Sequence, residues 1–386
     1  MDTSSQPLGD QRHLFDMEDG VVFLNAASKS ALLKASVEAG RIGAAAKGRP
    51  WAIDEPGRYV QADDIRARFA SLIGASGDDI AIHPAASYGI ATAAKNLQPK
   101  AGSRILLLEG QFPSNVYAWQ RLADRTGAVI ETVAWPEDAD WTQAVLKTID
   151  SDVAIAALPP CHWTDGSLVD LGRIGPALKD AGATFVVDAT QWVGALPIDV
   201  NAIHADYLVC AAYKWLLGPY GLSFMYAAPA HQDGLPLEDH LFNHGGVDSI
   251  TGGLAYPEGF TPGARRYDAG EYLSLITLPM IQVALKQLQD WQPARIAATL
   301  APITARIAEA APSLGLDVAP EAFRTPHILG LRRAGGFPGD ILARLAAEKV
   351  YVSSRGGALR VSPHLCNSLD DADDFIARIG RVLHNT

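Results

Sequence analysis

A lysine and an aspartate follow two apolar runs in the middle of this 386-residue chain. Asp188 ends the run Phe185–Val187, and Lys214 directly follows the run Tyr207–Tyr213. Runs of this kind are typical of buried parallel strands, whose carboxyl ends share one edge of the sheet, where ligands bind. Taken alone, each residue is more often a solvated strand end or a helix cap. Together, an amine that can form a Schiff base and a carboxylate that can keep a ring nitrogen protonated indicate pyridoxal 5'-phosphate (PLP) as cofactor.

Three further segments could hold the phosphate and the ring of such a cofactor. Ala85–Gly89 stands between a predicted strand and a predicted helix, where small residues and a helix N-terminus suit a phosphate. Phe112 follows the strand Ile105–Leu108 and could stack on a planar ring, although an ordinary core position is the alternative. Gln191 stands three residues after Asp188, within reach of a phenolic oxygen on the same ring.

Tyr213 and Arg360 extend this set toward the phosphate and toward a substrate. The hydroxyl of Tyr213 could bind the phosphate, because the residue precedes the lysine directly. Arg360 lies in the strand-like run Ala358–Val361, where its planar guanidinium suits a substrate carboxylate; an internal salt bridge is the alternative. The segment His162–Asp165 follows the strand Val153–Ala157 and would either line the site or form a structural loop.

The elements that must position these residues alternate between short apolar runs and helix-like segments from about residue 70 to 227. This alternation predicts an α/β fold with a mostly parallel seven-stranded sheet, covered by helices on both faces. Short turns between the last strands predict an antiparallel member. The predicted strands are Ile80–His83, Arg104–Leu108, Val129–Val133, Val153–Ala157, Thr184–Val187, Tyr207–Cys210 and Leu222–Tyr226. The predicted helices between them are Gly89–Asn96, Val116–Thr126, Trp141–Ile149 and Leu171–Ala181.

The remainder of the chain predicts a second, smaller unit. Residues 230–264 are rich in Gly, Pro and His and would form an irregular connector, followed by helices near 275–291 and 294–311. Strands and helices then alternate in a pattern that predicts a smaller α+β domain. We therefore divide the chain into an N-terminal arm at 1–20 that packs near the small domain, a large PLP-binding domain at 21–262 and a small C-terminal domain at 263–386.

Composition excludes several classes of partner. The formal net charge is −11 and there is no long basic run, which argues against nucleic acid or an anionic membrane as partner. The three cysteines are scattered without metal-type spacing, a pattern that fits a reducing cytoplasm. The polar N-terminus and the absence of a long apolar stretch predict a cytoplasmic protein without signal peptide or membrane span. No His, Asp or Glu cluster has the spacing of a metal site.

These motifs resemble the class V aminotransferase family, which includes cysteine desulfurases, kynureninases and isopenicillin-epimerase-like enzymes. The resemblance runs from Val22–Ala27 to Arg360–Ser368. It is most specific in Asp188–Gly194 and Tyr213–Gly221, with further support from Pro262–Glu271. It implies the PLP-dependent transferase fold type I, PLP as cofactor and a homodimer whose active sites borrow residues from the neighbouring subunit.

The resemblance also gives each predicted site residue a role. Lys214 and Asp188 would be catalytic: the lysine would form the Schiff base with PLP, and the aspartate would pair with the pyridine nitrogen. The implied cofactor-binding residues are Ala86, Ser87, Phe112, Asp188, Gln191, Tyr213 and Lys214. The implied substrate-binding residues are Arg360, which would hold the α-carboxylate, Asn25 and Trp163. His244 or Glu271 could complete the site of the neighbouring subunit.

Departures from the family pattern narrow the activity. Desulfurases of this family usually stack a histidine on the ring and carry a nucleophilic cysteine near the C-terminal domain, whereas this chain has Phe112 and no cysteine in Val350–Arg360. Cys366 lies beyond the arginine and is interpreted as a small, partly buried residue. Persulfide chemistry is therefore not expected. Phe112–Asn115 and Tyr213-Lys214 are closer to the kynureninase pattern, without defining a substrate.

The prediction is a PLP-dependent enzyme that acts at Cα of an amino acid through a carbanion, with aminotransferase as the leading activity. A β-lyase, a kynureninase-like hydrolase and an amino-acid epimerase share the same intermediate and stay open as alternatives. A nicotinamide dehydrogenase would need a glycine fingerprint after its first strand, and Ala85–Gly89 lacks that spacing. A catalytically silent PLP-binding protein is disfavoured because Lys214, Asp188, Gln191 and Arg360 are all retained.

Overall fold

A seven-stranded sheet forms the centre of the computed structural model, which describes residues 6–245 and 256–384. The described strands in chain order are β1 (Val22–Phe23), β2 (Ile80–His83), β3 (Arg104–Leu108), β4 (Val129–Val133), β5 (Val153–Leu158), β6 (Thr184–Asp188), β7 (Tyr207–Ala211), β8 (Ser223–Ala227), β9 (Leu329–Leu331), β10 (Val350–Tyr351), β11 (Ser353–Arg355) and β12 (Ala358–Val361). The central sheet has the order β2-β8-β7-β6-β5-β3-β4. Strand β8 is antiparallel to both of its neighbours, and the other pairs are parallel. The predicted mostly parallel sheet with one antiparallel member is confirmed.

Helices cover both faces of this sheet. The described helices are α1 (Lys34–Ala46), α2 (Glu55–Ile73), α3 (Ala86–Asn96), α4 (Ser114–Thr126), α5 (Trp141–Leu146), α6 (Leu171–Ala181), α7 (Thr277–Trp291), α8 (Pro293–Ala310), α9 (Ile341–Ala347) and α10 (Leu369–His384). Successive side chains of a strand point to opposite faces, so β3 contributes Ile105 and Leu107 to one hydrophobic cluster and Leu106 and Leu108 to the other. Each such fully buried leucine or isoleucine stabilises the fold by about 1.5–3 kcal/mol.

The helix starts beside the carboxyl edge differ slightly from the prediction. Helix α3 begins at Ala86 instead of Gly89, directly after the extended residue Ala85. Helix α4 begins at Ser114, because Pro113 already has helical dihedral angles (φ −54°, ψ −34°) and so directs the chain into the first turn. Both shifts bring helix N-termini closer to the strand ends than the sequence indicates.

Helices α1 and α2 were not predicted, and their sequences explain why. Helix α2 begins with Glu55-Pro-Gly-Arg58, a segment without the periodic apolar residues that predict a helix. Its fully buried residues, among them Phe69 and Ile73, lie further along the helix. In α1, a Cβ atom on Gly43 would lie 1.8 Å from the carbonyl oxygen of Leu275, so the glycine lets the backbones of α1 and the segment before α7 approach closely. Helix α7 packs along both of these helices.

The C-terminal part contains a three-stranded antiparallel sheet of order β11-β12-β9, with α8 and α10 packed together beside it. The N-terminal segment contacts this part: β1 pairs in parallel with β10, and Arg12 Nη1 donates a hydrogen bond to the Cys366 carbonyl oxygen (2.8 Å). Phe15 lies against the rings of Trp291 and His364. The domain limits 1–20, 21–262 and 263–386 stay predictions, and residues 1–5 of the arm and 246–255 of the connector lie outside the described residues.

Candidate active site

A cavity opens at the edge where β2, β3, β5, β6 and β7 end and the antiparallel β8 begins. It encloses about 950 Å³ of empty space, including space open to solvent at its mouth. Its walls include eight of the residues predicted from sequence: Ala86, Ser87, Phe112, Trp163, Asp188, Gln191, Tyr213 and Lys214. Asn25 and Arg360 do not line this cavity directly. The topology therefore brings most of the predicted site together.

Lys214 lies three residues beyond the end of β7, in the turn that leads to β8. Its side chain is 7% exposed, and its Nζ is 5.5 Å from the ring centre of Phe112 and 5.6 Å from that of Tyr213. Burial lowers the pKa of Lys214 to about 8; the Asp188 carboxylate opposes this shift, and Arg360 reinforces it. The amine is consequently available in its neutral, nucleophilic form at mildly alkaline pH.

Asp188 is the last residue of β6 and faces the cavity. The backbone N–H of Thr190 donates a hydrogen bond to its Oδ1 (3.1 Å), and no ion pair to Asp188 occurs within residues 6–245 and 256–384. Burial raises the pKa of this carboxyl, with the hydrogen bonds from Thr190 and the charge of Lys214 acting in the opposite direction. A half-buried carboxylate that is fixed by a backbone donor and has no cationic partner among the described residues fits a protonated ring nitrogen of a bound cofactor.

Gln191 is held at both ends of its amide. Trp215 Nε1 donates to its Oε1 (2.8 Å), and its Nε2 donates to the Ala27 carbonyl oxygen (2.9 Å). One of the two amide hydrogens remains for a group in the cavity, because an NH₂ group carries two donors. This geometry fits a contact between Gln191 Nε2 and the phenolic oxygen of the predicted PLP ring.

The N-terminus of α3 provides the part of the wall that suits a phosphate. Ala85 is extended, no side chain caps the helix, and Ser87 is exposed to the cavity. The first N–H groups of the helix are therefore free to bind an anion. The glycine at position 89 is explained by packing: a Cβ atom there would lie 2.7 Å from Val209 Cγ1, so Gly89 lets the helix approach β7 closely.

Arg360 lies in β12 behind Trp163 and is 1% exposed. Its Nη1 donates to the Trp163 carbonyl oxygen (2.6 Å), its Nη2 donates to Ser28 Oγ (2.7 Å), and its buried Nε has no hydrogen-bond partner in the described parts of the chain. The internal salt bridge considered above is absent from those parts, where no carboxylate pairs with this guanidinium. Burial lowers the pKa of Arg360 to about 10, and Arg355 contributes to the same shift. The guanidinium thus remains charged at neutral pH, and no carboxylate of the described residues neutralises it.

Trp163 and Asn25 connect Arg360 with the rest of the site. The Trp163 indole donates to the Gly110 carbonyl oxygen (2.8 Å), and its ring stands edge-on to Phe112 at 5.3 Å. Asn25 pairs through its backbone with Ser362, and its buried Oδ1 lacks a hydrogen-bond partner within the described residues. Trp163 is therefore part of the cavity wall, whereas Asn25 belongs to the layer behind it.

Sequence reasoning missed Asn115. Its side chain is fully buried in the cavity wall, its Oδ1 accepts a hydrogen bond from Trp119 Nε1 (2.8 Å), and its Nδ2 has no partner in the described structure. It occupies the distorted first turn of α4 (φ −95°, ψ 27°). The available signal was a polar residue directly after Phe112-Pro-Ser114, at a strand-to-helix turn.

Other candidate residues lie outside the cavity wall. The ring of His162 stacks on Trp141 (5.3 Å, 2° between planes), and its nitrogens contact Thr164 Oγ1 and the Glu109 carbonyl oxygen, so this segment contains a structural histidine. His244 Nε2 lies 3.1 Å from Asp239 Oδ1, and neither His244 nor Glu271 lines the cavity of its own chain.

All three cysteines of the chain lie within the described residues, and all three are buried: Cys161, Cys210 and Cys366. Cys161 lines the cavity, but burial raises the pKa of its thiol far above the usual range. Burial likewise raises the pKa of Cys366 to about 12. None of the three is therefore poised as a thiolate nucleophile at neutral pH.

The acidity of Lys214 gives a pH-dependent prediction for the cofactor-free protein. Because the pKa of Lys214 is about 8 instead of the ordinary 10.5, its labelling by an amine-selective reagent should be half-maximal near pH 8, as measured by peptide mass spectrometry. Replacement of Asp188 by asparagine should move this midpoint to lower pH, because the carboxylate raises the pKa. A wild-type midpoint above pH 10 would show that the lysine is not desolvated.

The mostly parallel seven-stranded sheet, with a buried lysine and a half-buried aspartate at its carboxyl edge, defines a PLP-dependent enzyme of fold type I. The family model "Aminotransferase class-V" matches residues 58–364, and the chain belongs to this family. Its cofactor is PLP, and the cavity fits this group: it offers an amine, a free helix N-terminus and a carboxylate that forms no ion pair within the described residues.

Comparison with individual proteins shows the range of related activities. The chain is 26% identical over 326 residues to YcbU, an uncharacterized aminotransferase of Bacillus subtilis. The aligned region covers 83% of this chain and 83% of YcbU. It is 29% identical over 174 residues to a probable cysteine desulfurase of Pyrococcus abyssi, which covers 45% of this chain and 41% of that protein. The solved apo structure of a cysteine desulfurase from Thermococcus onnurineus superposes with a TM-score of 0.84 at 20% identity and covers 99% of this chain and 100% of the other. The similarity to the Thermococcus structure concerns the fold alone. The two similarities to cysteine desulfurases weigh against the prediction that desulfurase activity is excluded.

Two searches of the described residues gave negative results. None of the helices there combines the length and apolar character that a bilayer span requires. No cluster of three or more His, Cys, Asp or Glu side chains in the same residues is arranged to hold a metal ion.

Proposed function

We propose that this class V enzyme is an aminotransferase that acts on an α-amino acid. The observation that carries the substrate class is Arg360, a buried guanidinium with no carboxylate partner in the described residues, behind the cavity wall that holds Lys214. A charged group in such a place is unfavourable unless an anion neutralises it, and the α-carboxylate of an amino acid would do so. When bound, PLP supplies an aldehyde that condenses with amines and a ring that accepts electrons from the substrate Cα.

Arg360, behind the wall, and four residues of the wall itself each have a defined task in this proposal. Arg360 binds and orients the α-carboxylate, and Lys214 removes the proton from Cα as general base. Asp188 keeps a proton at the ring nitrogen, which stabilises the developing negative charge. Phe112 packs against the ring, and Gln191 binds its phenolic oxygen.

The phosphate and substrate contacts complete this assignment. Ala86, Ser87 and Tyr213 bind the phosphate at the start of α3. Trp163 and Asn25 support the substrate side of the site, where the Oδ1 of Asn25, which has no partner among the described residues, is available to a donor.

Two considerations favour transamination over cysteine desulfuration. The aminotransferase YcbU is similar along 83% of both chains, whereas the desulfurase similarity in sequence covers less than half of either chain. Desulfuration through a protein persulfide requires a reactive thiolate, and the three cysteines are buried with raised thiol pKa values. We therefore propose that the enzyme is not a cysteine desulfurase, although the fold is shared with such enzymes.

A panel of amino acids tests the reaction type. The holoenzyme is mixed with each amino acid, its absorption spectrum is followed, and the products are identified by mass. Formation of a keto acid together with the amine form of the cofactor supports transamination. Ammonia with a cleaved side chain would replace the proposal by a β-lyase or a kynureninase-like hydrolase, and inversion at Cα would replace it by an epimerase.

We also propose that the enzyme is a cytoplasmic homodimer. Several large apolar side chains are exposed on and around α1 and α2, among them Trp51 (82%), Val60 (70%) and Ile42 (63%). An apolar face of this kind is typical of a surface covered by another subunit. Light scattering coupled to gel filtration should give twice the chain mass of 41.1 kDa; a monomer at micromolar concentration would contradict the proposal.

Replacement of Arg360 by alanine should raise KM for α-amino acids about 100-fold, because a charge-assisted contact to the substrate carboxylate is lost. Steady-state kinetics provide the measurement. Amines that lack the carboxylate should lose no affinity, which separates carboxylate binding from general damage. Arg344→Ala is the matched control, since Arg344 is an exposed arginine paired with Asp340. An unchanged KM would refute the assignment.

A further inference from the structure

Arg355 is a second arginine on the face of the small sheet that presents Arg360. In the antiparallel pair of β11 and β12, Ser353 lies opposite Arg360, and Arg355 lies opposite Ala358. Side chains alternate along a strand, so Ser353 and Arg355 share one face, and Arg360 shares that face because it stands directly opposite Ser353. The two arginines are diagonal neighbours across the pair, a separation that long side chains bridge.

Arg355, like Arg360, has no acidic partner among the described residues. The side-chain hydrogen bond observed for it is a donation from Nη1 to the Ser354 carbonyl oxygen (2.7 Å), and it forms no ion pair with a carboxylate in residues 6–245 or 256–384. Arg332 in the same region provides a contrast, because its guanidinium pairs with Asp165 (2.9 Å) and donates to the Gly356 carbonyl oxygen. The Asp165 carboxylate is thus paired with Arg332 and not with Arg355.

The charges around the site are unbalanced in consequence. Arg355 and Arg360 are diagonal neighbours on one sheet face, and the charge of Arg355 contributes to the lowered pKa of Arg360 and of Lys214. Like charges on one sheet face are unfavourable, and one substrate α-carboxylate can neutralise only one guanidinium. A second anion at this end of the site would remove the imbalance.

We propose that Arg355 binds a second carboxylate, carried by the side chain of the substrate, so that the preferred substrate is an acidic α-amino acid. The inference rests on the proposed function, since it requires an amino acid held at Arg360. In it, Arg360 takes the α-carboxylate and Arg355 takes the distal one. An acidic amino acid is then selected over its amide, because the amide leaves Arg355 without a counter-charge.

Unreactive acids test this inference on the holoenzyme without turnover. Isothermal titration calorimetry compares glutarate with pentanoate and succinate with butyrate, two pairs that differ only in the second carboxylate. Wild type should bind the diacid of at least one pair about tenfold or more tightly than the monoacid, because a charge-assisted contact is added. The advantage should shrink as salt is raised, since ionic screening weakens a partly exposed pair.

Two variants assign the effect to a residue. Arg355→Met should remove the preference for the diacid and leave the affinity for the monoacid within about twofold, whereas the exposed-arginine control Arg344→Met should keep the preference. Equal affinities in wild type, or a preference retained in Arg355→Met, would overturn the inference. Both outcomes are distinct from a failure of the proposed function, because the colour of the holoenzyme and the keto-acid product from another amino acid are measured separately.

Discussion

Replacing Lys214 with alanine will lower the turnover number by about 10³-fold or more and abolish the absorption band of covalently bound cofactor. The substitution removes the amine that, in the proposed function, would attach the cofactor and would act as the base next to the substrate Cα. A positioned general base alone contributes about 10²–10⁴-fold to a rate. The neighbouring wall should persist, because Phe112 and Tyr213 contact the rest of the protein independently of the lysine.

Absorption spectra and single-turnover kinetics measure this effect. Lys179→Ala serves as the matched control, since Lys179 is exposed on α6, away from the cavity. Lys214→Ala should still bind PLP non-covalently through the phosphate site and Asp188. Wild-type turnover in Lys214→Ala would eliminate the lysine as a catalytic residue.

The second large effect is expected for Asp188→Asn, which should lower turnover by about 10²–10³-fold while the cofactor remains attached to Lys214. Asparagine has nearly the same shape but no negative charge, so it cannot hold the proton at the ring nitrogen that stabilises charge during the reaction. Rapid-kinetic absorbance should show that removal of the Cα proton becomes rate-limiting.

Retention of the cofactor distinguishes this variant from Lys214→Ala. A primary isotope effect with Cα-deuterated substrate should increase in Asp188→Asn, because the step in which the carboxylate acts has become slower. Asp180→Asn, an exposed substitution at the end of α6, should leave the turnover number and the isotope effect unchanged. If Asp188→Asn turned over at the wild-type rate, the carboxylate would have only a structural role.

The core of the site could be predicted from the sequence because parallel strands impose a simple rule. Asp188 and Lys214 follow buried strands that end at the same edge, so their proximity results from topology and requires no detailed packing. Ser87 and Phe112 follow the same rule at β2 and β3. The polar or aromatic residue after each apolar run is the signal in all of these cases.

Residues positioned by packing or by register could not be predicted in this way. Asn115 depends on the distorted first turn of α4 and on the Trp119 indole, neither of which has a sequence signature. Arg355 reaches the site only through the antiparallel register of β11 and β12, where a shift of one residue would place it on the other face. Helices α1 and α2 could not be predicted from a regular apolar stripe. Their packing also depends on close backbone approaches, such as that of Gly43 in α1 to Leu275.

Borohydride trapping tests the central claim most directly. The purified holoenzyme is reduced with sodium borohydride, digested and mapped by mass spectrometry, with Lys214→Ala treated in parallel. The account predicts that the yellow band disappears on reduction and that a pyridoxyl group is found on Lys214 in the wild type and on no peptide of the variant. A pyridoxyl group on a different lysine, or a colourless protein that cannot be reconstituted with PLP, would contradict it.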